Sequence, residues 1–315
     1  MKKLTLVITI FLTVLLLRVF AISEQVNTEI YETNKIFKLY YNQKFEECMK
    51  YCYDLILKNA DNSTAYIFYF SSAYQIDKLQ ETINQIEDRY IKYVQNYSTK
   101  GEILEAQREY QILTILMGYS NMFLYFSTDE GNSYLDESIN NFRKSLFFPI
   151  SFSSIYTGLA IAYFEKKLNE RTISMITKAM NIKNYDPITL EYYAKIQNKL
   201  GNYQQTISKL KNYTHIEYPD LLYQLGFAYE KSNEIDKAIE AYSLASKYDP
   251  FLIGQGFISL VRIGDIYLYI KNDKEKAIWY YQEILKILPD SIVAKTKIEE
   301  AQKYNPQKKE QNKKK

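Results

Sequence analysis

The chain has 315 residues, of which 47% are hydrophobic and 24% are charged, with 9 glycines and 6 prolines. This length and composition allow a large buried core that needs no metal ion or disulfide, and the scarcity of glycine and proline disfavours a turn-rich all-β fold. The formal net charge of +3 excludes a strongly basic, nucleic-acid-binding body, because Lys2, Lys3 and Arg18 alone account for it.

Residues 1–22 (MKKLTLVITIFLTVLLLRVFAI) have the pattern of an export signal, since Lys2 and Lys3 precede an unbroken apolar run from Leu4 to Leu17. An apolar stretch of about 20 residues is also long enough for a membrane anchor, so cleavage and retention both stay open. In either case the positive end remains in the cytoplasm and the rest is exported. We therefore expect the protein in the periplasm, or anchored to the inner membrane facing the periplasm.

Small or β-branched residues recur in apolar helical patterns, with gaps of 34, 56, 34, 34, 32 and 39 residues, and the two longest gaps contain visible insertions. These residues are Cys48, Thr82, Ser138, Thr172, Thr206, Ala238 and Ala277. Each follows a polar turn, and a second helix with its own apolar stripe precedes that turn, which predicts a helix hairpin for each unit. Because two short helices cannot bury their stripes alone, the hairpins are expected to stack into an all-α solenoid.

The stretch from Leu221 to Pro250 (LLYQLGFAYEKSNEIDKAIEAYSLASKYDP) shows the most regular spacing. Its pattern positions are Leu222, Leu225, Gly226, Tyr229, Ala238, Tyr242, Ala245 and Pro250. They resemble the tetratricopeptide repeat family, whose unit has about 34 residues. A final unit matches through Ile263, Gly264, Tyr267, Ala277, Tyr281, Ile284 and Pro289. The resemblance implies a right-handed α-solenoid of stacked antiparallel helix hairpins.

We expect four segments along the chain. Residues 1–22 form the signal peptide or anchor, 23–150 hold degenerate helical repeats, 151–302 form the regular array, and 303–315 form a lysine-rich tail. Two long helices are expected within 23–150, and whether that region continues the same superhelix stays open. The tail is interpreted as a solvated, disordered end, since no aromatic residues are interleaved with its lysines to stack on bases.

The residues that usually carry chemistry are few. Cys48 and Cys52 lie four residues apart, which separates their Cβ atoms by about 6 Å on a helix, so we expect no disulfide between them. Both fall on inward-facing repeat positions, which predicts buried free thiols. The single histidine, His215, lies in a predicted loop with no second histidine or cysteine nearby, which predicts neither a metal site nor a catalytic triad. We expect no catalytic residue, no cofactor and no small-molecule substrate. A carboxylate pair leaves no sequence signature, however, so a cell-wall or carbohydrate-acting enzyme in the degenerate N-terminal half remains an alternative.

The resemblance further implies a concave groove, lined by the first helix of each hairpin, that binds a peptide or helix of a partner protein. Projected onto this chain, the groove positions are Thr157, Phe164, Glu191, Lys195, Asn198, Tyr223, Phe227, Glu230, Lys231, Arg262, Asp265 and Tyr269. Aromatic anchors among mixed charges suit a protein ligand. The Lys and Asn of relatives that clamp an acidic C-terminal tail are replaced by Tyr223 and Phe227.

The sequence as a whole predicts a non-enzymatic protein–protein interaction scaffold of the cell envelope. Its expected partner is a protein or peptide, with membrane attachment possible through residues 1–22 and no nucleic acid expected. A membrane-tethered envelope assembly factor is a further alternative. Trp279, predicted on the outer face of the last hairpin, is a second possible contact.

Overall fold

The computed structural model describes residues 27–97, 105–128, 132–183 and 185–305, and within these ranges the chain forms helices and no strands. Seven antiparallel hairpins follow one another, and a single helix ends the array. The first helices of the hairpins are α1 (27–41), α3 (Ser63–Gln75), α5 (Glu105–Ser127), α7 (Ser153–Glu165), α9 (Pro187–Lys199), α11 (Pro219–Lys231) and α13 (Gln255–Tyr269). The second helices are α2 (Phe45–Lys58), α4 (Leu79–Tyr97), α6 (Asn132–Ser145), α8 (Asn169–Ile182), α10 (Tyr203–Leu210), α12 (Ile235–Lys247) and α14 (Lys274–Ile287), and α15 (Ile292–Lys303) covers the last hairpin. The predicted all-α solenoid is confirmed.

The turn inside each hairpin uses a recurring backbone device. A residue in the left-handed region ends the first helix in most hairpins, with positive φ at Gln43, Asp77, Lys167, Gly201, Asn233 and Asn272. In the hairpin of α11 and α12, the next amide, Glu234 N, donates to Tyr229 O at 2.9 Å, which satisfies a carbonyl that the helix leaves unpaired. The repeated turn reverses the chain after six of the seven first helices.

The small residues that mark the sequence period lie where the helices pack most closely. All seven, from Cys48 to Ala277, are buried. The two glycines of the best-matching units have a specific reason to be glycine: a Cβ atom on Gly226 would lie 2.7 Å from the Tyr242 ring, and one on Gly264 would lie 2.3 Å from the Tyr281 ring. In each hairpin the ring on the second helix therefore packs directly on the backbone of the first.

The array curls so that its second hairpin lies against later hairpins. At the start of α7, Ser153 Oγ and Ser154 N donate to Asp61 Oδ1 at 2.6 and 2.9 Å. At the start of α9, Asp186 Oδ2 accepts a hydrogen bond from Ser63 Oγ at 2.8 Å. These contacts join residues about 90 and 120 positions apart in the chain. The loop before α3 and the beginning of α3 therefore meet the N-terminal ends of α7 and α9.

Helix α1 reaches further along the array, to the start of α11. The Phe37 ring stacks on the Tyr218 ring with their centroids 4.5 Å apart. One turn later, Tyr41 Oη donates to Asp220 Oδ2 at 2.7 Å. The described N-terminal hairpins and the hairpins up to α12 thus share one hydrophobic core.

Two of the long segments expected before residue 150 are indeed long helices, since α4 has 19 residues and α5 has 23. The predicted signal segment, residues 1–22, lies outside the described residues, as do residues 306–315 of the predicted tail. In the ranges that are described, no helix combines the length and the apolar character that crossing a bilayer requires.

Candidate functional site

The structure separates the twelve predicted groove positions into a covered group and an open group. Thr157, Glu191 and Asn198 are buried. Thr157 Oγ1 shares a 2.7 Å hydrogen bond with Thr189 Oγ1, and Asn198 Nδ2 donates to Gln224 O at 3.0 Å. These three side chains contact neighbouring helices of the protein itself, so they support the groove wall and are not presented to a ligand.

Helix α3 covers this face on α7 and the start of α9, whereas the Asn198 amide packs on α11. Helix α3 is buried over most of its circumference and packs against α5, α7 and α9. Ile161, which lies one turn after Thr157 on the same face of α7, is fully buried as well. The concave face that the sequence assigned to α7 and the start of α9 is thus filled by the chain's own second hairpin. Helical register alone predicted these positions as accessible, because it contains no information about which distant segment packs on them.

A polar cluster lies where α9 and α11 meet α1. Glu191 forms an ion pair with Lys195 and accepts a hydrogen bond from Tyr218 Oη. Burial opposes the charge of Lys195, but the adjacent Glu191 carboxylate outweighs it, and the pKa of Lys195 is raised. Burial, together with the negative charge of Glu191, raises the pKa of Asp220 to about 7. This cluster ties three hairpins together.

The open part of the concave face lies over α11 and α13. Tyr223 and Phe227 on α11 are partly exposed, and Tyr269 at the end of α13 is exposed. Lys231 Nζ lies 5.4 Å from the centroid of the Phe227 ring, a distance at which a cation is attracted to the ring face. The edge of the Tyr203 ring supports Phe227 from the neighbouring hairpin, with centroids 6.2 Å apart.

Two charged pairs frame these aromatic side chains. Arg262 Nε donates to Glu230 Oε2 at 3.1 Å, and the same carboxylate oxygen accepts a hydrogen bond from Tyr242 Oη at 3.0 Å. The second pair joins Asp265 to Lys297 of α15, with Lys297 Nζ 3.1 Å from Asp265 Oδ1. A buried tyrosine again holds the carboxylate, because Tyr281 Oη donates to Asp265 at 2.9 Å. We call the seven residues of α11 and α13 together with Lys297 the open groove: Tyr223, Phe227, Glu230, Lys231, Arg262, Asp265, Tyr269 and Lys297.

Lys297 is a groove residue that sequence reasoning missed. It lies on α15, which follows the last hairpin and has no second helix paired with it up to residue 305, where the described chain ends, so the repeat pattern assigned it no groove position. A sequence signal did exist, because Ala294 and Ala301 are two turns apart and both are buried, as expected of one apolar helix face. Lys297 also lies 6.0 Å from the centroid of the Tyr269 ring, which it shields on one side.

The remaining predicted positions, Phe164 and Lys195, lie between the covered and open parts. The Phe164 ring meets the Tyr192 ring edge to face, with centroids 5.5 Å apart. Lys195 Nζ lies 4.4 Å from the Tyr192 centroid, and Lys199 Nζ lies 5.3 Å from that of Phe164. Pairing of lysine with an aromatic ring therefore recurs on successive first helices, from α7 to α13.

The cysteines, the histidine and the tryptophan singled out in the sequence lie in the environments that were predicted for them. Cys48 and Cys52 are free and buried, with their Sγ atoms 3.9 Å apart, which confirms the prediction of buried thiols. His215 is exposed in the loop before α11, and Trp279 on α14 is 50% exposed. Among the described residues, no group of three or more histidine, cysteine or acidic side chains is arranged to hold a metal ion.

Comparison with known proteins gives a match of residues 220–250 to the family described as tetratricopeptide repeat. A protein of Cyanophora paradoxa, the uncharacterized protein ycf37, is 28% identical over 166 residues, which cover 52% of this chain and 77% of that protein. Among solved structures, a chain of the APC/C hetero-tetramer Cut9-Hcn1 has a TM-score of 0.50 and 17% identity over 84% of this chain. This chain spans about half of that one, 54% of its length.

A second solved structure is YrrB, described as a TPR protein with an unusual peptide-binding site. It has a TM-score of 0.45 and 17% identity, covering 64% of this chain and 95% of its own. The family match and the first structure agree on the fold, so the chain has the solenoid fold of tetratricopeptide repeat proteins and residues 220–250 form one such repeat. The resemblance found in the sequence is confirmed.

Proposed function

We propose that this chain, which contains tetratricopeptide repeats, is a non-enzymatic scaffold that binds a peptide or helix of a partner protein in the open groove. The observation that carries the proposal is the set of aromatic side chains that α11 and α13 leave at least partly exposed, Tyr223, Phe227 and Tyr269. Aromatic side chains are enriched among the few residues that dominate binding energy in protein interfaces, because they bury a large area with few rotatable bonds.

The charged residues of the open groove are held in place before a partner arrives. Glu230 and Asp265 are each fixed by a tyrosine hydroxyl from the paired helix and by a cation. A side chain that is already ordered loses little conformational entropy on binding. The groove therefore suits a partner segment that has apolar anchors for the aromatic faces and polar groups that pair with charges of both signs.

We further propose that the scaffold acts in the cell envelope, either in the periplasm or attached to the inner membrane. The pattern of residues 1–22, with two lysines before an apolar run, supports this location. Fusion of alkaline phosphatase to the C-terminus of the full chain tests it, because the enzyme is active only outside the cytoplasm. An inactive fusion that accumulates in the cytoplasm would contradict the proposed location.

Photocrosslinking in intact cells tests the binding function most simply. A photoreactive amino acid replaces Tyr223 in the open groove, and the control carries the same amino acid at Lys247, an exposed residue at the end of α12. We expect one discrete protein to be captured from position 223 and not from position 247. Capture of the same proteins from both positions, or of none, would contradict a partner in the groove.

The partner found in this way allows a quantitative test with Phe227→Ala. Loss of an aromatic anchor at the centre of an interface costs about 2 kcal/mol or more, so the dissociation constant should rise by roughly 30-fold or more. The control variant Phe251→Ala removes an exposed ring from the loop after α12 and should leave affinity unchanged. Both variants should keep the helical content of the wild type in circular dichroism. Equal affinity of Phe227→Ala and wild type would remove Phe227 from the binding surface.

A further inference from the structure

The described chain begins at one edge of the array. Glu29 and Glu32, on the first turns of α1, form ion pairs with Lys183 at 3.3 Å and Lys58 at 2.9 Å. Only residues 23–26 separate this helix from the predicted signal peptide or anchor, residues 1–22. Even a fully extended chain of that length spans only roughly 15 Å. A bilayer that retained the apolar segment would therefore lie close to this edge.

The loop between α6 and α7 carries large apolar side chains that project into solvent. Phe147 is 89% exposed and Ile150 is 55% exposed. The loop backbone is nevertheless held firmly, because Gln111 Nε2 donates to Ile150 O at 2.7 Å and to Ser145 O at 3.1 Å. The ordered loop thus holds an aromatic and a β-branched side chain in solvent together, and contiguous exposed apolar surface is a feature of protein and membrane interaction sites.

This loop and the start of α1 are on the same side of the molecule. Ser153, three residues after Ile150, donates to Asp61 Oδ1 at 2.6 Å. The backbone carbonyl of Asp61 accepts a hydrogen bond from Lys183 Nζ at 3.2 Å, and Lys183 is the partner of Glu29. Three consecutive contacts thus connect the apolar loop with the first turn of α1.

Positive charge accompanies these apolar side chains. Arg108 donates to the carbonyl oxygens of Leu57 and Lys58 at the end of α2, at 3.5 and 3.3 Å. Lys144 precedes Phe147 by one helical turn, and among the described residues neither Arg108 nor Lys144 forms an ion pair with a carboxylate. Leu57 beside Arg108 is also exposed.

We propose that this edge is a membrane-contact surface that rests on an anionic phospholipid bilayer. We call it the basal edge, and it consists of Leu57, Arg108, Lys144, Phe147 and Ile150. Phe147 and Ile150 insert at the depth of the headgroups, where apolar side chains gain from burial, and Arg108 and Lys144 lie near the phosphates. The contact is independent of partner binding in the open groove, because it uses a different set of residues and a different ligand.

The single tryptophan allows the insertion to be measured in the full chain. Trp279→Phe removes the native signal from an exposed position, and Phe147→Trp or Ile292→Trp then places one tryptophan at the basal edge or on exposed α15. Each protein is reconstituted into phosphatidylglycerol vesicles that contain brominated lipid, which quenches tryptophan only at short range. We expect several-fold stronger quenching at position 147 than at position 292. Equal quenching at the two positions, or none at 147, would overturn the proposal.

A charge reversal tests the role of the lipid headgroup. In the protein with tryptophan at position 147, Lys144→Glu should lower the quenching at least two-fold, whereas Lys247→Glu, at the end of α12, should leave it unchanged. The same protein in phosphatidylcholine vesicles should also be quenched less than in phosphatidylglycerol. Quenching that does not respond to Lys144→Glu or to the lipid charge would overturn the preference for an anionic surface.

Discussion

The packing of α1 on the start of α11 can be tested through the stacked rings of Phe37 and Tyr218. Their centroids are 4.5 Å apart and their planes differ by only 6°. Both rings are buried, so Phe37→Ala should lower the free energy of unfolding by about 3–5 kcal/mol, as for other buried phenylalanines. The control Tyr31→Ala alters the same helix at a side chain that is 69% exposed, and its effect should stay within about 0.5 kcal/mol.

A double-mutant cycle with Phe37→Leu and Tyr218→Leu isolates the contact between the two rings. Leucine keeps most of the apolar bulk at each position but removes the stacking. An aromatic pair contributes about 0.5–1.5 kcal/mol beyond the burial of its area, and this is the coupling energy that we expect from urea unfolding of the four proteins. Additive effects, with a coupling energy of zero within error, would refute the packing of α1 on α11.

Two further predictions concern stability. Gly264→Ala places a Cβ atom 2.3 Å from the buried Tyr281 ring, so it should lower the free energy of unfolding by about 1–3 kcal/mol, and a neutral effect in urea unfolding would show that the helices can separate there. The pKa of Asp220 is raised to about 7, so between about pH 4 and pH 7 the folded state binds more protons than the unfolded state. The stabilisation that comes from protonated Asp220 is fully present below about pH 4 and is lost as the pH rises through 7. Asp220→Asn, which can still accept a hydrogen bond from Tyr41, should therefore flatten the decline in stability over this range, and an unchanged pH profile would contradict the raised pKa.

Much of the local architecture could be predicted because it depends on residues close together in the chain. The spacing of Cys48, Ala238 and the other small anchors identified the hairpins, since each small residue is needed wherever a first and second helix cross. The pairing of Gly226 with Tyr242 follows the same rule, with both partners inside a single repeat. Local spacing was informative because the first and second helix of a hairpin cross closely in the same way in repeat after repeat.

The curl of the array could not be predicted in this way. Contacts such as Phe37 with Tyr218 join residues about 180 positions apart, and no local pattern specifies which distant helix will meet another. For the same reason the sequence placed Thr157 and Glu191 in an accessible groove, although α3 and the start of α11 cover them. Positions from Tyr223 onward on α11 and α13 stay accessible, since the contacts of α1 lie at the start of α11, at Tyr218 and Asp220. The positions that are exposed, as helical register predicted, are thus those on which no distant segment packs.

The central claim is that the N-terminal hairpins fold back on the array and leave the open groove on α11 and α13 uncovered. Zero-length crosslinking with a carbodiimide tests it directly, because Glu29 and Lys183 are 3.3 Å apart in the curled array. In a straight stack of hairpins these residues would be separated by roughly 30 Å or more, since each packed layer adds about 10 Å. The pair Asp236 and Lys271, from neighbouring hairpins and 2.7 Å apart, forms in either arrangement and serves as the control. Mass spectrometry should identify both crosslinks within one molecule, whereas detection of the control crosslink alone would contradict the curled arrangement.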